Sequence, residues 1–207
     1  SQKNFDDLKK KLSVKENDLV VFVADKQGVV NASLGNLRKH VAKKIGLVDD
    51  KKFNFVWVYE FPLLFFNEDE NRLESMHHPF TSPKLDQLNL LEKDPLAVKA
   101  RAYDLVLNGI ELGGGSIRMH SSSLQQKMFD VLGISKEEAK ERFGFFLEAL
   151  KYGAPPHGGI AFGVDRIAML LSGSESIRDV IAFPKNKASV SLLDGAPSEV
   201  STRQLKE

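Results

Sequence analysis

Asn108-Gly109 stands between two extended runs, residues 101–107 and 110–118, and constrains this chain more than any other feature. Asparagine followed by glycine accepts the two positive φ values of a type I′ turn, whose twist matches that of paired strands. The dipeptide therefore predicts a two-residue antiparallel hairpin, in which Leu107 faces Ile110, Val106 faces Glu111 and Asp104 faces Gly113. Side chains alternate with a period of two, so Asp104 and Glu111 fall on one face as diagonal neighbours, about 7 Å apart at Cα. Two carboxylates at that spacing suit a hard divalent cation whose shell is completed by phosphate and water oxygens. Gly113, Gly114 and Gly115 follow. Bare strand positions let a ligand or another backbone approach closely, or admit a bulge. Arg118 is seven residues beyond Glu111, and strict alternation places it on the opposite face. A single bulge within the glycine run would return it to the same face, where its fork could hold a substrate carboxylate through two parallel hydrogen bonds. The plainer alternative is an exposed acidic hairpin with an awkward glycine run.

Around this hairpin the hydrophobic period switches between helix and strand. Phe5, Leu8 and Leu12 share one face of a helix over residues 4–12. Residues 18–25, DLVVFVAD, read as a buried strand. Val30, Leu34, Leu37, Val41 and Ile45 recur at helical spacing, with Gly46 as the stop. This helix–strand–helix piece is near the size at which a lone core becomes marginal, so it reads as part of something larger. Beyond a polar linker at 48–52, Phe53, Phe55, Trp57 and Tyr59 alternate as a strand. Pro62 restricts the chain before an apolar stretch at 63–66, and NEDENR forms a solvated turn. Helices are predicted over 124–132 and 136–152, the second opened by Ser135 and Glu138 at capping-box spacing. KYGAPPHGG is a rigid turn, GIAFG a short strand and VDRIAMLLSG a helix closed by Gly173. Hairpin-joined strands with helices between them predict an α+β domain, an antiparallel sheet with flanking helices.

Two further clusters carry chemistry. MHHPFTSP, residues 76–83, places adjacent His77 and His78 before a rigid proline. They can bind metal, act as acid or base, or donate to an anion, with a structural role as the plainer alternative. Zinc fits poorly, because adjacent residues do not converge on one centre and the chain has no cysteine. Lack of cysteine also excludes a disulfide framework and a cysteine nucleophile. GGIAFGVDRIAML, residues 158–170, is a glycine-bearing strand, a turn and a helix with Asp165 and Arg166 in its first turn. Such a helix start attracts phosphate through its free N–H groups and dipole, and a guanidinium adds to that pull or stacks on a purine. It is neither a Walker lysine loop nor a dinucleotide fingerprint. With 29 basic and 28 acidic residues in 207, the net charge of +1 sets up no whole-molecule field for nucleic acid. No apolar run approaches the ~20 residues of a membrane span, and the charged start SQKNFDDLKKKL lacks a secretory core. The expected setting is cytoplasmic, with no membrane.

Taken together, FNFVWVYEFPLL, MHHPFTSP, RAYDLVLNGIELGGGSIR and APPHGGIAFGVDR resemble, in order and spacing, the C-terminal half of bacterial-type aspartyl-tRNA synthetases. These class II enzymes activate L-aspartate with ATP and transfer it to tRNA, and the resemblance spans nearly the whole chain. It implies the C-terminal half of the class II catalytic fold over 48–207, including motif 3 at Gly163, Val164, Asp165 and Arg166. Residues 1–47 would be the end of the bacterial insertion domain with its return helix. It further implies a C-terminal fragment without the anticodon-binding domain, motif 1 or motif 2, which alone would neither form aspartyl-adenylate nor charge tRNA. Glu111 would bind ATP through Mg2+ with Asp104 as second ligand. Arg118 would pair with the aspartate side-chain carboxylate, and His77 and His78 would contact or support bound aspartate. Residues 163–166 would line the ATP site, with Arg166 the catalytic group packed on the adenine. The parent would be a homodimer, and the isolated chain would associate or be marginally stable, since half an antiparallel sheet leaves an open edge. Asparaginyl or lysyl synthetases, asparagine synthetase, and a non-catalytic synthetase-derived binding module are the rival readings.

Overall fold

The computed structural model describes residues 2–49 and 51–206; Ser1, Asp50 in the expected linker, and Glu207 lie outside the described residues. The chain divides into two units, residues 1–52 and 53–207. In the first, the amphipathic pattern forms α1 (Gln2–Leu12) and the longer period forms α2 (Gln27–Lys44), which ends just before Gly46. The strand expected at 18–25 does not form. That segment is irregular, with Leu19 88% and Phe22 65% exposed. A strand is held by its ladder to a neighbour, and among the described residues of this unit there is no other strand to supply one.

The second unit opens with β1 (Phe55–Tyr59), two residues shorter than its alternation suggested. A separate hairpin follows, β2 (Leu64–Asn67) and β3 (Arg72–Ser75), joined through the polar turn. Then come β4 (Ala102–Leu107), β5 (Ile110–Ile117), α3 (Ser122–Val131), α4 (Lys136–Lys151), β6 (Gly158–Phe162) and α5 (Val164–Ser172). Strands β1, β4, β5 and β6 form one antiparallel sheet in that spatial order. The fold is α+β, as the pattern required.

Asn108 and Gly109 turn the β4–β5 hairpin with φ of +50° and +82°, the two left-handed values that a type I′ turn needs. Leu107 pairs with Ile110 and Val106 with Glu111, as expected. Beyond that the register corrects the expectation: Leu105 pairs with Gly113 and Asp104 with Gly114. Leu112 is therefore the extra residue of a β-bulge, placed just before the glycine run rather than within it. Its carbonyl accepts from the Gly163 N–H at 2.7 Å, which fastens the start of α5 to the bulge.

Helix caps follow the sequence. Ser121 Oγ accepts from Leu124 N, and Ser135 Oγ accepts from Glu138 N at 3.1 Å, while the Glu138 carboxylate takes Arg142 one turn on. The apolar faces of α3 and α4 bury two clusters. Leu63, Leu64, Leu91, Val98, Met119 and Met128 form one. In the other, Phe80 packs edge-on against Phe129, Phe143 and Phe146 with ring centroids 5.8, 5.1 and 4.8 Å away. Among the described residues no helix is long and apolar enough to cross a membrane.

Candidate active site

Moving the bulge to Leu112 decides which side chains meet. Counting from Gly114, alternation puts Gly114, Ser116 and Arg118 on the face that carries Asp104 and Glu111. A Cβ on Gly114 would stand 2.3 Å from Asp104 Oδ1 and 3.5 Å from Glu111 Oε1, so the bare glycine keeps open the ground between the two acids. Gly113 and Gly115 face the other way, where added Cβ atoms would meet the Ala161 carbonyl at 2.4 Å and the Gly159 carbonyl at 1.9 Å. Those two glycines serve the close approach of β6; Gly114 serves the cleft.

Asp104, Glu111, Gly114, Ser116, Arg118 and Ala161 line one cavity of about 410 Å³ with His77, His78 and Thr81. Burial raises the Asp104 carboxyl pKa from its ordinary value, the neighbouring Glu111 charge adds to this, and His77 opposes it. A cation between the acids would relieve that repulsion. Among the described residues no group of three or more His, Asp and Glu side chains is placed to hold a metal ion, which leaves Asp104 and Glu111 as a pair of candidate ligands. That suits Mg2+, which is held by one or two carboxylates and takes the rest of its shell from phosphates and water.

Thr81 bridges Arg118 across the strand backbone, and its hydroxyl lies 3.4 Å from Ser116 Oγ. The Arg118 backbone N–H donates to the His157 carbonyl at 2.9 Å. These contacts fix the base of a side chain whose Nη1 is buried with no hydrogen-bond partner among the described residues. A buried guanidinium donor left open is a place for an oxygen anion. Arg118 also borders a second cavity of about 410 Å³, with Phe80, Phe143, Phe145, Phe146, His78 and His157.

His77 stacks edge-on against Phe61 at 4.8 Å, and His78 lies 5.2 Å from Phe80. His78 Nδ1 accepts from the Phe80 N–H at 3.2 Å. Partial burial, and then the Arg118 charge, lower the His78 pKa. Arg166 Nη1 donates to the Glu111 carbonyl at 2.8 Å and lies 3.4 Å from Glu111 Oε2. It thereby joins the first turn of α5 to the acid pair. Gly163, Val164 and Asp165 are not in the lining of that cavity; Val164 is 74% exposed. Two contributors escaped the sequence reading. Thr81 lines the cavity but carried no signal of its own within MHHPFTSP, and Gln125, outside the lining, donates to the Pro79 carbonyl from the inner face of α3, where a polar residue at core spacing was the available signal.

A family model described as tRNA synthetases class II (D, K and N) matches residues 3–187. The chain is 58% identical over 197 residues to an aspartate–tRNA(Asp/Asn) ligase of Caldanaerobacter subterraneus subsp. tengcongensis, covering 95% of this chain and 33% of that protein. It is 56% identical over 205 residues to an aspartate–tRNA ligase of Staphylococcus carnosus, covering 99% and 35%. The chain thus spans about a third of the length of the curated relatives it matches. Its fold matches an aspartyl-tRNA synthetase from Entamoeba histolytica, with a TM-score of 0.50, 22% identity, and 90% and 31% of the two chains covered. An asparaginyl-tRNA synthetase from Pyrococcus horikoshii gives a TM-score of 0.50 at 18% identity, covering 90% and 35%.

Proposed function

The chain belongs to the class II tRNA synthetases of the D, K and N group, and we propose that it is the C-terminal part of a longer aspartate–tRNA ligase. In this reading residues 1–47 end the insertion domain and residues 48–207 supply the second half of the catalytic fold. The parent is a cytoplasmic homodimer acting on L-aspartate, ATP and tRNA. The observation that carries the reading is the convergence of Arg118, with its open buried donor, and the Asp104–Glu111 pair on one cavity.

The reaction runs in two displacements. The aspartate α-carboxylate attacks the ATP α-phosphorus in line and pyrophosphate leaves. A ribose hydroxyl of the tRNA end then attacks the acyl carbon and AMP leaves. Arg118 holds the side-chain carboxylate by its fork, which orients the α-carboxylate and discriminates against an amide. His77 and His78 close the amino-acid pocket beside it. Asp104 and Glu111 would hold Mg2+, which when bound would supply charge to neutralise the phosphate oxygens. Arg166 and the start of α5, from Gly163 through Val164 and Asp165, take the nucleotide, and Arg166 exchanges its contact with Glu111 for the adenine face. No covalent enzyme intermediate is required.

The test is ATP–pyrophosphate exchange on a longer protein that contains this chain, with aspartate, asparagine and lysine supplied in turn. Exchange dependent on aspartate and abolished in Arg118→Leu is the expected result. Exchange driven equally by asparagine or lysine would overturn the assignment.

A further inference from the structure

Gln125 is wholly buried in the first half of α3, its inner-face neighbours are Met128 and Phe129, and its Oε1 has no hydrogen-bond partner among the described residues. A methionine of the same length would fill that space without burying an unpaired oxygen. The amide nevertheless has a use at its other end: Nε2 donates to the Pro79 carbonyl at 2.9 Å. Residues 78–81 form a turn closed by the Thr81 N–H on the His78 carbonyl at 2.9 Å, with Pro79 and Phe80 at its centre. The Pro79 carbonyl and the Phe80 N–H belong to one planar peptide unit. That N–H is the group that donates to His78 Nδ1 at 3.2 Å. The Phe80 ring, anchored among Phe129, Phe143 and Phe146, holds the far side of the same peptide.

We propose that Gln125 is a positioning residue for His78. By holding the Pro79 carbonyl it turns the Phe80 N–H onto Nδ1, and so fixes the imidazole in the tautomer that carries its hydrogen on Nε2. A nitrogen that accepts a backbone N–H has no hydrogen of its own, so the neutral ring has one donor left to offer. A peptide that accepts at its oxygen is also a stronger donor at its nitrogen, so the two bonds reinforce each other. His78 lines the cavity that holds Arg118, and a fixed Nε2–H there is a second donor for a carboxylate. That last consequence rests on the aspartate reading; the tautomer does not.

The test is ¹H–¹⁵N correlation of the histidine rings in the labelled 207-residue chain at neutral pH. It is combined with the coupling between Phe80 N and His78 Nδ1 across their hydrogen bond. The native chain should show one His78 tautomer, with Nδ1 bare and the coupling present. Q125M should lose the coupling and give a mixed tautomer while its melting temperature holds or rises, a split that a purely structural glutamine would not produce. Q125L removes the donor in another way and serves if Q125M folds poorly. A hydrogen on Nδ1 in the native chain, or an unchanged His78 spectrum in the folded variant, overturns the proposal. Aspartate affinity is read separately and should fall about tenfold in Q125M. If it is unchanged while the tautomer is lost, the aspartate role fails and the positioning stands.

Discussion

At the scale of single residues, three adjacent glycines divide between two roles, and substitution separates them. An alanine at 115 would place its Cβ 1.9 Å from the Gly159 carbonyl, a backbone atom that cannot swing aside without breaking the β5–β6 ladder. Gly115→Ala should cost about 3 kcal/mol or more, read as a lower denaturation midpoint. An alanine at 114 meets a rotatable carboxylate instead. Gly114→Ala should keep a near-native midpoint and lose Mg2+-dependent nucleotide binding, measured by calorimetry. Equal midpoints for the two variants would contradict the division of roles. His78 supplies a pH test. Its folded pKa lies below the ordinary value near 6.5 because partial burial, and then Arg118, disfavour its charge. The folded chain therefore binds fewer protons than the unfolded one just below that pH. Stability falls as pH drops through this window and is flat for this group above it. Denaturation midpoints at pH 7 and pH 5 should fall less in His78→Gln than in the native chain.

At the scale of elements, legibility tracked how local the cause was. The Asn108-Gly109 turn, the Ser135 cap and the close of α5 at Gly173 depend on residues within one turn of each other, and all three were readable. The bulge was anticipated as a means of turning Arg118, but its place was not. Leu112 is chosen by a contact with Gly163, 51 residues later, which no local pattern carries. For the same reason DLVVFVAD misled: its apolar content is that of a strand, but pairing belongs to the neighbour. In the candidate site, the acid pair and Arg118 were legible as spacing along one hairpin, whereas Gln125 acts across 46 residues on Pro79. The hairpin sets the acid pair through its turn. Gly109→Ala forces a Cβ into φ of +82° and should cost about 1–2 kcal/mol. Thermal melts give the cost, and loss of nucleotide affinity beyond that of a surface control shows that Glu111 has moved.

At the scale of the whole molecule, the sheet turns an apolar face away from the acids. Phe55, Trp57 and Tyr59 on β1 and Ile160 and Phe162 on β6 share it and are 40–69% exposed. Both strands are also sheet edges. An apolar surface bounded by open ladders favours association, so the chain should sediment as more than a monomer at high concentration. Trp57, the sole tryptophan, reports on it: its emission should shift to the red on dilution, and a concentration-independent spectrum would argue against association through this face. The central claim is that Arg118 and the acid pair form one pocket for an aspartyl group joined to a nucleotide. Calorimetric titration of the chain with a non-hydrolysable aspartyl-adenylate analogue, beside its asparaginyl counterpart, tests it most directly. The account predicts binding that favours the aspartyl analogue, with that preference lost in Arg118→Gln; equal binding of the two, or a preference unchanged in the variant, would contradict it.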